Sequence, residues 1–346
     1  MYTLIGADGV PVRSRVPGRF GGHRRNRGYG RLDCPAALRW IAKGKYVRHR
    51  VFFRDEETAL AAGYRPCATC LPERYAAWKA GRMVVELRPR GAFDAAHLLA
   101  FLGARAVPGV EAVEGQTYRR SLSLPGGPAV VALRLSSRLV RASFVVSERR
   151  DVHEAMRKVR GLLDLDADMR AVRRRLGTDP VLGPLVRARP GLRSPGAVDR
   201  EEIAIRAVVG QQVSVAGART VLGRLTAASA DPLPPGLAGA GITHLFPGAA
   251  DLATARLSMP ASRARALAAL PEADYDDLTA IPGIGPWTAA YVRMRTGDRD
   301  VLLDTDLVIR RELARLGPAA DPEAWSPYRS YATHHLWRAA GLRQAG

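Results

Sequence analysis

Three cysteines near the start of the chain have the residue type and spacing of a metal site. Cys67 and Cys70 form a Cys-x-x-Cys pair, and Cys34 lies upstream of it. An odd number of cysteines confined to the first seventy residues makes a poor disulfide framework. Three thiolates suit Zn²⁺, which needs one more ligand to close a tetrahedral shell. We predict a structural zinc site whose fourth ligand is a histidine, either His49, which we favour, or His23.

A second segment, residues 278–291, carries a glycine-rich turn between two predicted helices. It reads Leu-Thr-Ala-Ile-Pro-Gly-Ile-Gly-Pro-Trp-Thr-Ala-Ala-Tyr. Glycine permits positive φ and leaves backbone N–H groups unshielded. These groups precede a helix, whose N-terminal dipole favours an anion such as a DNA phosphate. We therefore predict DNA binding by Gly283, Ile284, Gly285 and Thr288; for the two glycines alone, an ordinary helix C-cap is the alternative.

The helices and strands predicted around these groups indicate an α+β protein with three domains. Residues 1–80 form a small zinc-binding α+β domain, with an arm or irregular strand region over 1–30 and a helix over 55–63. Residues 83–170 form an antiparallel-sheet α+β domain with a helix over 95–105, a hairpin over 118–135 and a strand over 139–146. Residues 171–346 form an all-α domain, with helices over 201–229, 262–270, 288–295, 307–316 and 328–340.

The charge of the chain favours a polyanionic partner. Its 346 residues contain 53 Lys+Arg against 33 Asp+Glu, a formal net charge of +20. Nucleic acid is the commonest polyanion, although a host with a basic proteome is the alternative. No secretory signal or apolar run of about 18 residues is present, so we predict a cytoplasmic, nucleoid-associated protein without a membrane partner.

The turn at 281–285 resembles that of the helix-hairpin-helix DNA glycosylase superfamily. Residues 300–311, Asp-Val-Leu-Leu-Asp-Thr-Asp-Leu-Val-Ile-Arg-Arg, follow it at a short distance. In that superfamily a catalytic acidic residue caps a helix shortly after the hairpin. The resemblance therefore implies that Asp306 is catalytic, with Asp304 as the alternative.

Three further segments resemble the bacterial inducible 3-methyladenine DNA glycosylases of the AlkA type. They are residues 205–216, residues 325–337 and, in the α+β region, residues 98–111 together with 118–120, so the resemblance covers about residues 83–346. It implies that the target nucleotide is flipped out and that the turn at Gln211 and Gln212 fills the gap. It also implies that Trp287, Tyr291 and Trp337 line a pocket for a cationic base, since aromatic rings attract cations. Core aromatics at helical spacing are the alternative.

The implied activity is monofunctional excision of alkylated purines from double-stranded DNA by a monomer without a cofactor. Relatives with lyase activity carry a hairpin lysine, whereas Trp287 stands at that place here. No cysteine follows Cys70, which excludes the iron–sulfur cluster of some relatives. Two alternatives remain open: a glycosylase for other lesions such as deaminated purines, and a non-catalytic DNA-binding or regulatory protein of the alkylation response.

The N-terminal segment 52–70 resembles the metal-binding domain of the Ada alkylation-response protein. That family has two cysteines four residues apart at the first half-site. Here Gly30 and Cys34 hold those places, so one thiolate is missing. The resemblance supports a structural zinc module that helps to hold DNA, and it leaves methyl acceptance by Cys34 open.

Overall fold

The computed structural model describes residues 1–254 and 259–344, and the chain divides into two compact units. The first unit comprises residues 1–87, 122–133 and 141–157; the second comprises 88–121, 134–140 and the described residues from 158 onward. The strands are β1 Tyr2–Ile5, β2 Pro11–Ser14, β3 Phe20–His23, β4 Gly28–Arg31, β5 Arg50–Phe53, β6 Arg65–Pro66, β7 Arg82–Leu87, β8 Glu111–Glu114, β9 Thr117–Leu124, β10 Gly127–Leu135 and β11 Val140–Val146.

The α-helices follow the same numbering along the chain. They are α1 Pro35–Ala42, α2 Glu56–Ala61, α3 Pro72–Lys79, α4 Ala95–Arg105, α5 Val152–Leu162, α6 Met169–Leu176, α7 Gly183–Ala188, α8 Arg200–Val209, α9 Val215–Ser229, α10 Ala249–Thr254, α11 Ala261–Ala269, α12 Pro286–Arg295, α13 Leu307–Leu316 and α14 Arg329–Gln344. The predicted α+β composition is confirmed, and the division into domains at 1–80, 83–170 and 171–346 stays a prediction.

The N-terminal part of the first unit is more regular than its sequence indicates. The Gly- and Arg-rich stretch predicted as an arm or irregular strand region forms β1 to β4, of which β3 and β4 belong to a four-stranded sheet with the order β5-β3-β4-β6. His23 of β3 lies opposite Arg50 of β5 on one side and opposite Gly28 of β4 on the other. Glycines interrupt the alternation of apolar side chains that marks a strand, which is why this sheet was hard to predict.

The α+β region follows the predicted pattern closely. Strands β7 to β11 form a five-stranded sheet with the order β7-β11-β10-β9-β8. Helix α4 spans Ala95–Arg105, as predicted, and begins after Asp94, whose carboxylate accepts a hydrogen bond from the backbone N–H of His97 at 3.1 Å. An acidic N-cap satisfies a backbone donor that the first turn of a helix leaves free.

The predicted helix over 201–229 is wrong in one respect, because the structure breaks it at residues 210–214. Helix α8 ends at Gly210, and α9 begins after Ser214, whose hydroxyl accepts from the backbone N–H of Gly217 at 3.0 Å. Between them Gln212 has a φ of 55°. A left-handed backbone conformation is uncommon at a non-glycine residue, so the conformation of the turn at Gln212 is a distinctive feature of this structure.

Two buried clusters hold the helical part of the second unit together. One surrounds α8 and includes Ile203, Val208 and Leu267, and the other surrounds α14 and includes Trp325 and Leu336. Between them these clusters fix α12, α13 and the hairpin that precedes α12. Among the described residues, no helix combines the length and the apolar character needed to cross a membrane.

Candidate active site

The second unit contains a cavity of about 830 Å³ that brings predicted site residues together. Trp287, Tyr291, Asp306 and Trp337 all line it. They come from three helices: α12 supplies the first two, the start of α13 supplies the third and α14 supplies the fourth. A concave, mostly apolar cavity with a carboxylate beside aromatic rings suits a small planar ligand.

Asp306 is held in place by donors to both of its carboxylate oxygens. Its Oδ1 accepts from the backbone N–H groups of Val308 at 2.9 Å and Ile309 at 3.1 Å, so it caps α13. The indole Nε1 of Trp337 donates to the same oxygen at 3.3 Å, and that of Trp287 donates to Oδ2 at 3.2 Å. The neighbouring Asp304 is exposed and does not line the cavity. The structure thus places Asp306, and not Asp304, beside the aromatic rings.

The aromatic side chains form one wall of the cavity. Trp287 and Tyr291 lie one turn apart on α12, and their rings stack with centroids 5.3 Å apart and an interplanar angle of 4°. Trp337 lies 6.5 Å from Tyr291, tilted by 56°. All three rings are half-buried, so part of each remains accessible from the cavity.

Several arginines that the sequence did not predict also line this cavity, and two of them, Arg295 and Arg105, act on Tyr291. Arg295 donates from Nη1 to the hydroxyl of Tyr291 at 2.6 Å and from Nε to the carbonyl of Pro195 at 2.7 Å. Burial alone would raise the pKa of Tyr291, but Arg295 and Arg105 outweigh it and hold that pKa below its usual value. Arg295 follows Tyr291 by four residues, so helical spacing could have indicated it, whereas Arg105 comes from α4 and gives no such signal.

His334 also lines the cavity and was not predicted from the sequence. Its ring meets that of Trp337 edge to face with centroids 5.3 Å apart. Burial lowers the pKa of His334 well below its usual value, so the imidazole is neutral. Within residues 1–254 and 259–344, its Nε2 has no hydrogen-bond partner.

The predicted DNA-binding residues lie in two turns that one side chain joins. Gln211 donates from Nε2 to the carbonyl of Gly283 at 2.9 Å and to the hydroxyl of Thr288 at 3.1 Å. Gly283 is exposed with a φ of 96°, a conformation that favours glycine. Ile284 is only 4% exposed and packs into the core, so its backbone alone can meet a ligand. Gln212 is exposed beside these residues, while Gln211 and Thr288 hold the turns together.

Comparison with known proteins identifies the family of this fold. Residues 84–199 match the family model for the AlkA N-terminal domain. The DNA-3-methyladenine glycosylase 2 of Escherichia coli K12 is 32% identical over 280 residues, which cover 72% of this chain and 95% of that protein. The chain belongs to the AlkA family.

Another AlkA relative is longer than this chain. The protein of Mycobacterium tuberculosis H37Rv named "Probable bifunctional transcriptional activator/DNA repair enzyme AlkA" is 39% identical over 285 residues. These cover 75% of this chain and 57% of that protein, so the chain spans little more than half of this relative's length.

Solved structures share the AlkA-type fold at low sequence identity. The 3-methyladenine DNA glycosylase of Archaeoglobus fulgidus has a TM-score of 0.64 at 19% identity, covering 76% of this chain and all of that one. The 8-oxoguanine glycosylase/lyase of Clostridium acetobutylicum, solved with double-stranded DNA, has a TM-score of 0.52 at 12% identity. The match covers 68% of this chain and 99% of that one. At these identities the likeness establishes the fold alone.

A buried ionic network lies against the cavity of this AlkA-family chain. Arg120 donates to Glu202 at 2.7 Å, and Arg206 donates to Glu111 at 2.6 Å and to Glu202 at 2.9 Å. The hydroxyl of Tyr118 donates to Glu111 at 2.5 Å. Burial alone would raise the pKa of Glu202, but the two arginines outweigh it and lower that pKa to about 2. The network ties α8 to β8 and β9 within the second unit.

The first unit gathers the three cysteines predicted as metal ligands. The Sγ atoms of Cys34, Cys67 and Cys70 all lie within 4.8 Å of one another, and those of Cys34 and Cys67 are 3.9 Å apart. Tetrahedral zinc with Zn–S bonds of about 2.3 Å holds its sulfurs roughly 3.8 Å apart, so this donor set fits the ion. The structure does not bring His49 into the cluster, because its ring lies against that of His23 with centroids 5.2 Å apart.

Proposed function

We propose that this chain excises alkylated purines, of the 3-methyladenine and 7-methylguanine type, from double-stranded DNA by hydrolysing the N-glycosidic bond. Membership of the AlkA family supports the reaction class, and the E. coli relative is named for 3-methyladenine. The observation that carries the proposal is the carboxylate of Asp306, which is fixed by two indole N–H groups at the wall of a cavity of about 830 Å³.

The aromatic wall recognises the damaged base. A base in a duplex is out of reach, so the nucleotide is flipped into the cavity and its ring is held by the faces of Trp287, Tyr291 and Trp337. An alkylated purine carries positive charge, and electron-rich rings attract a cation. Undamaged purines lack that charge, so the wall favours the lesion.

The chemical step requires little beyond a well-placed carboxylate. A positively charged purine is already a good leaving group and needs no general acid. Bond cleavage leaves positive charge on the sugar, which Asp306 stabilises, and the same carboxylate orients and deprotonates the attacking water. The donors on both carboxylate oxygens fix its direction before the substrate arrives.

DNA is held by the two turns that Gln211 joins. The backbone N–H groups of the hairpin at Gly283 and Gly285, at the start of α12, bind a phosphate. Gln212, exposed on its left-handed turn, enters the duplex where the nucleotide has left. The net charge of +20 adds sequence-independent attraction, which salt weakens.

The experiment that tests this function incubates the full chain with methylated duplex DNA and identifies released bases by mass spectrometry. We expect 3-methyladenine and 7-methylguanine. A parallel duplex containing hypoxanthine distinguishes the alternative lesion class, since release from that substrate alone would replace the proposal. Release from neither duplex, with DNA binding retained, would instead support a non-catalytic DNA-binding protein.

The product is expected to be an intact strand with an abasic site. Cleavage by a lyase needs an amine that attacks the sugar, and no lysine lines the cavity. Lys158, which is the one lysine of the second unit, donates to the carbonyl of Val198 at 3.0 Å. Borohydride added during turnover should therefore trap no covalent complex, and strand cleavage should require hot alkali. An efficiently trapped complex would contradict monofunctional hydrolysis.

We also propose that residues 1–80 form a zinc module related to the Ada domain, ahead of an AlkA-like α+β domain and a helical glycosylase domain. Cys34, Cys67 and Cys70 hold the ion, whose binding energy stabilises a region with a small core. Burial raises the pKa of the Cys70 thiol to about 12, so a cation that binds this sulfur must displace its proton. The glycosylase reaction itself uses no cofactor.

A further inference from the structure

The cysteine cluster is one ligand short of a closed zinc site. Among the described histidine, cysteine and acidic side chains, only those of Cys34, Cys67 and Cys70 gather at this place. A structural zinc site has four protein ligands, whereas a site with three keeps one position for an outside ligand. The number of protein donors thus decides what the metal can do.

Gly30 explains why the fourth donor is missing. It lies on β4, and a Cβ at this residue would stand 2.5 Å from the Sγ of Cys70 and 3.0 Å from the Cβ of Cys67. Any side chain at residue 30 would therefore enter the cluster. The backbone does not require glycine here, because the φ of Gly30 is not in the left-handed region. Glycine at this residue lets the sulfurs approach the β4 backbone closely and leaves no side chain between them and the cavity that Gly30 lines.

The cysteine cluster borders a cavity with cationic walls. The cavity has a volume of about 280 Å³, several times the volume of a water molecule, and Gly30 and Cys34 line it. Arg31, Arg50 and Arg65 line it as well. Within the described part of the chain, the buried Nε of Arg50 has no hydrogen-bond partner.

We propose that zinc held by Cys34, Cys67 and Cys70 has an open coordination position on the Gly30 side, and that this position takes a small thiolate from the arginine-lined cavity. Zn²⁺ with three thiolates carries one negative charge, and the three arginines offset both it and the charge of an incoming anion. Among small anions, thiolate is the donor that zinc binds best in company with cysteines. The inference rests on the proposed zinc binding, which its test measures separately.

The test uses the full chain with cobalt(II) in place of zinc, because cobalt–thiolate bonds absorb visibly. We expect one metal per chain by elemental analysis, and a saturable rise in thiolate-to-cobalt absorption as 2-mercaptoethanol is added. Arg50→Gln should weaken this binding about three- to ten-fold. Arg15→Gln is the matched control, since Arg15 is exposed and does not line the cavity; it should leave binding unchanged.

Gly30→Cys tests the open position by supplying a fourth thiolate from the protein itself. If the variant binds metal, its spectrum without added thiol should match that of the thiol-saturated parent, and added thiol should change nothing. Because a side chain at residue 30 crowds Cys70, this variant can lose metal altogether, and the titration of the parent chain then decides alone.

Three results would overturn the inference, and they are distinguishable. In the first, the chain binds cobalt, added thiol leaves the spectrum unchanged, and His49→Ala or His23→Ala alters it. The site is then closed by a histidine ligand, and the proposed zinc binding is retained. A chain that binds no metal refutes zinc binding itself. A thiol that strips the cobalt from the chain, instead of adding to it, also refutes the open position.

Discussion

Asp306→Asn is expected to lower the rate of base release from methylated duplex DNA by at least about 10²–10³-fold, the scale of removing one electrostatic group from a transition state. Asparagine also caps helices, so α13 should still begin at residue 307. What is lost is the negative charge beside the sugar and the group that deprotonates the water. Single-turnover release, followed by mass spectrometry, measures the effect.

The control for this variant is Asp304→Asn. Asp304 is exposed, two residues before Asp306, and does not line the cavity, so its replacement should leave the rate nearly unchanged. The affinity of Asp306→Asn for methylated duplex should stay within a few-fold of the parent. Near-normal release by Asp306→Asn, together with loss in Asp304→Asn, would move the catalytic role to Asp304; normal release by both would refute the mechanism.

Glu202→Gln should destabilise the second unit by about 3–5 kcal/mol, since it leaves two buried arginines with one carboxylate between them. Arg120 and Arg206 both donate to Glu202, and the side chain of Arg120 is only 3% exposed. Chemical denaturation monitored by tryptophan fluorescence gives the difference in unfolding free energy. Glu114→Gln is the control, because that glutamate is 80% exposed in its pair with Arg119 and such pairs contribute about 1 kcal/mol or less.

The cost of Glu202→Gln should depend on pH in a definite direction. The pKa of Glu202 falls from an ordinary 4.5 to about 2 in the folded chain, so its stabilisation is complete above about pH 5. As the pH falls toward 2, the unfolded chain binds the proton first and that stabilisation is lost. The difference between parent and variant should therefore shrink below pH 5; a difference that is constant or grows in acid would contradict this origin.

The sequence predicted those parts of the site that local rules determine. Trp287 and Tyr291 lie one helical turn apart, and Asp306 stands at an N-cap; both patterns are visible in the chain itself. Arg105 and His334 reach the same cavity from α4 and α14, and only tertiary packing brings them there. The helix pattern missed the break between α8 and α9 because the flanking residues favour a helix, whereas the family resemblance implied a turn at Gln211 and Gln212.

For the metal cluster, too, the sequence predicted what local spacing determines and not what depends on tertiary packing. Spacing alone identified Cys34, Cys67 and Cys70, and the structure brings their sulfurs together. The choice of a fourth ligand depended on knowing where β3 would place His23 and where the turn before β5 would place His49; the two rings pack on each other. The glycine-rich strands that decide this have few side chains from which to predict their pairing.

The single amide of Gln211 has a consequence for the search along undamaged DNA. It joins the turn that carries Gln212 to the carbonyl of Gly283 and the hydroxyl of Thr288, so two hydrogen bonds connect the residue proposed to enter the duplex with the hairpin proposed to bind a phosphate. If the two turns act on DNA as proposed, this connection lowers the loop-ordering entropy that each inspected base pair would otherwise cost. Inspection then needs little rearrangement of the protein, and the base pair with the weakest stacking opens first.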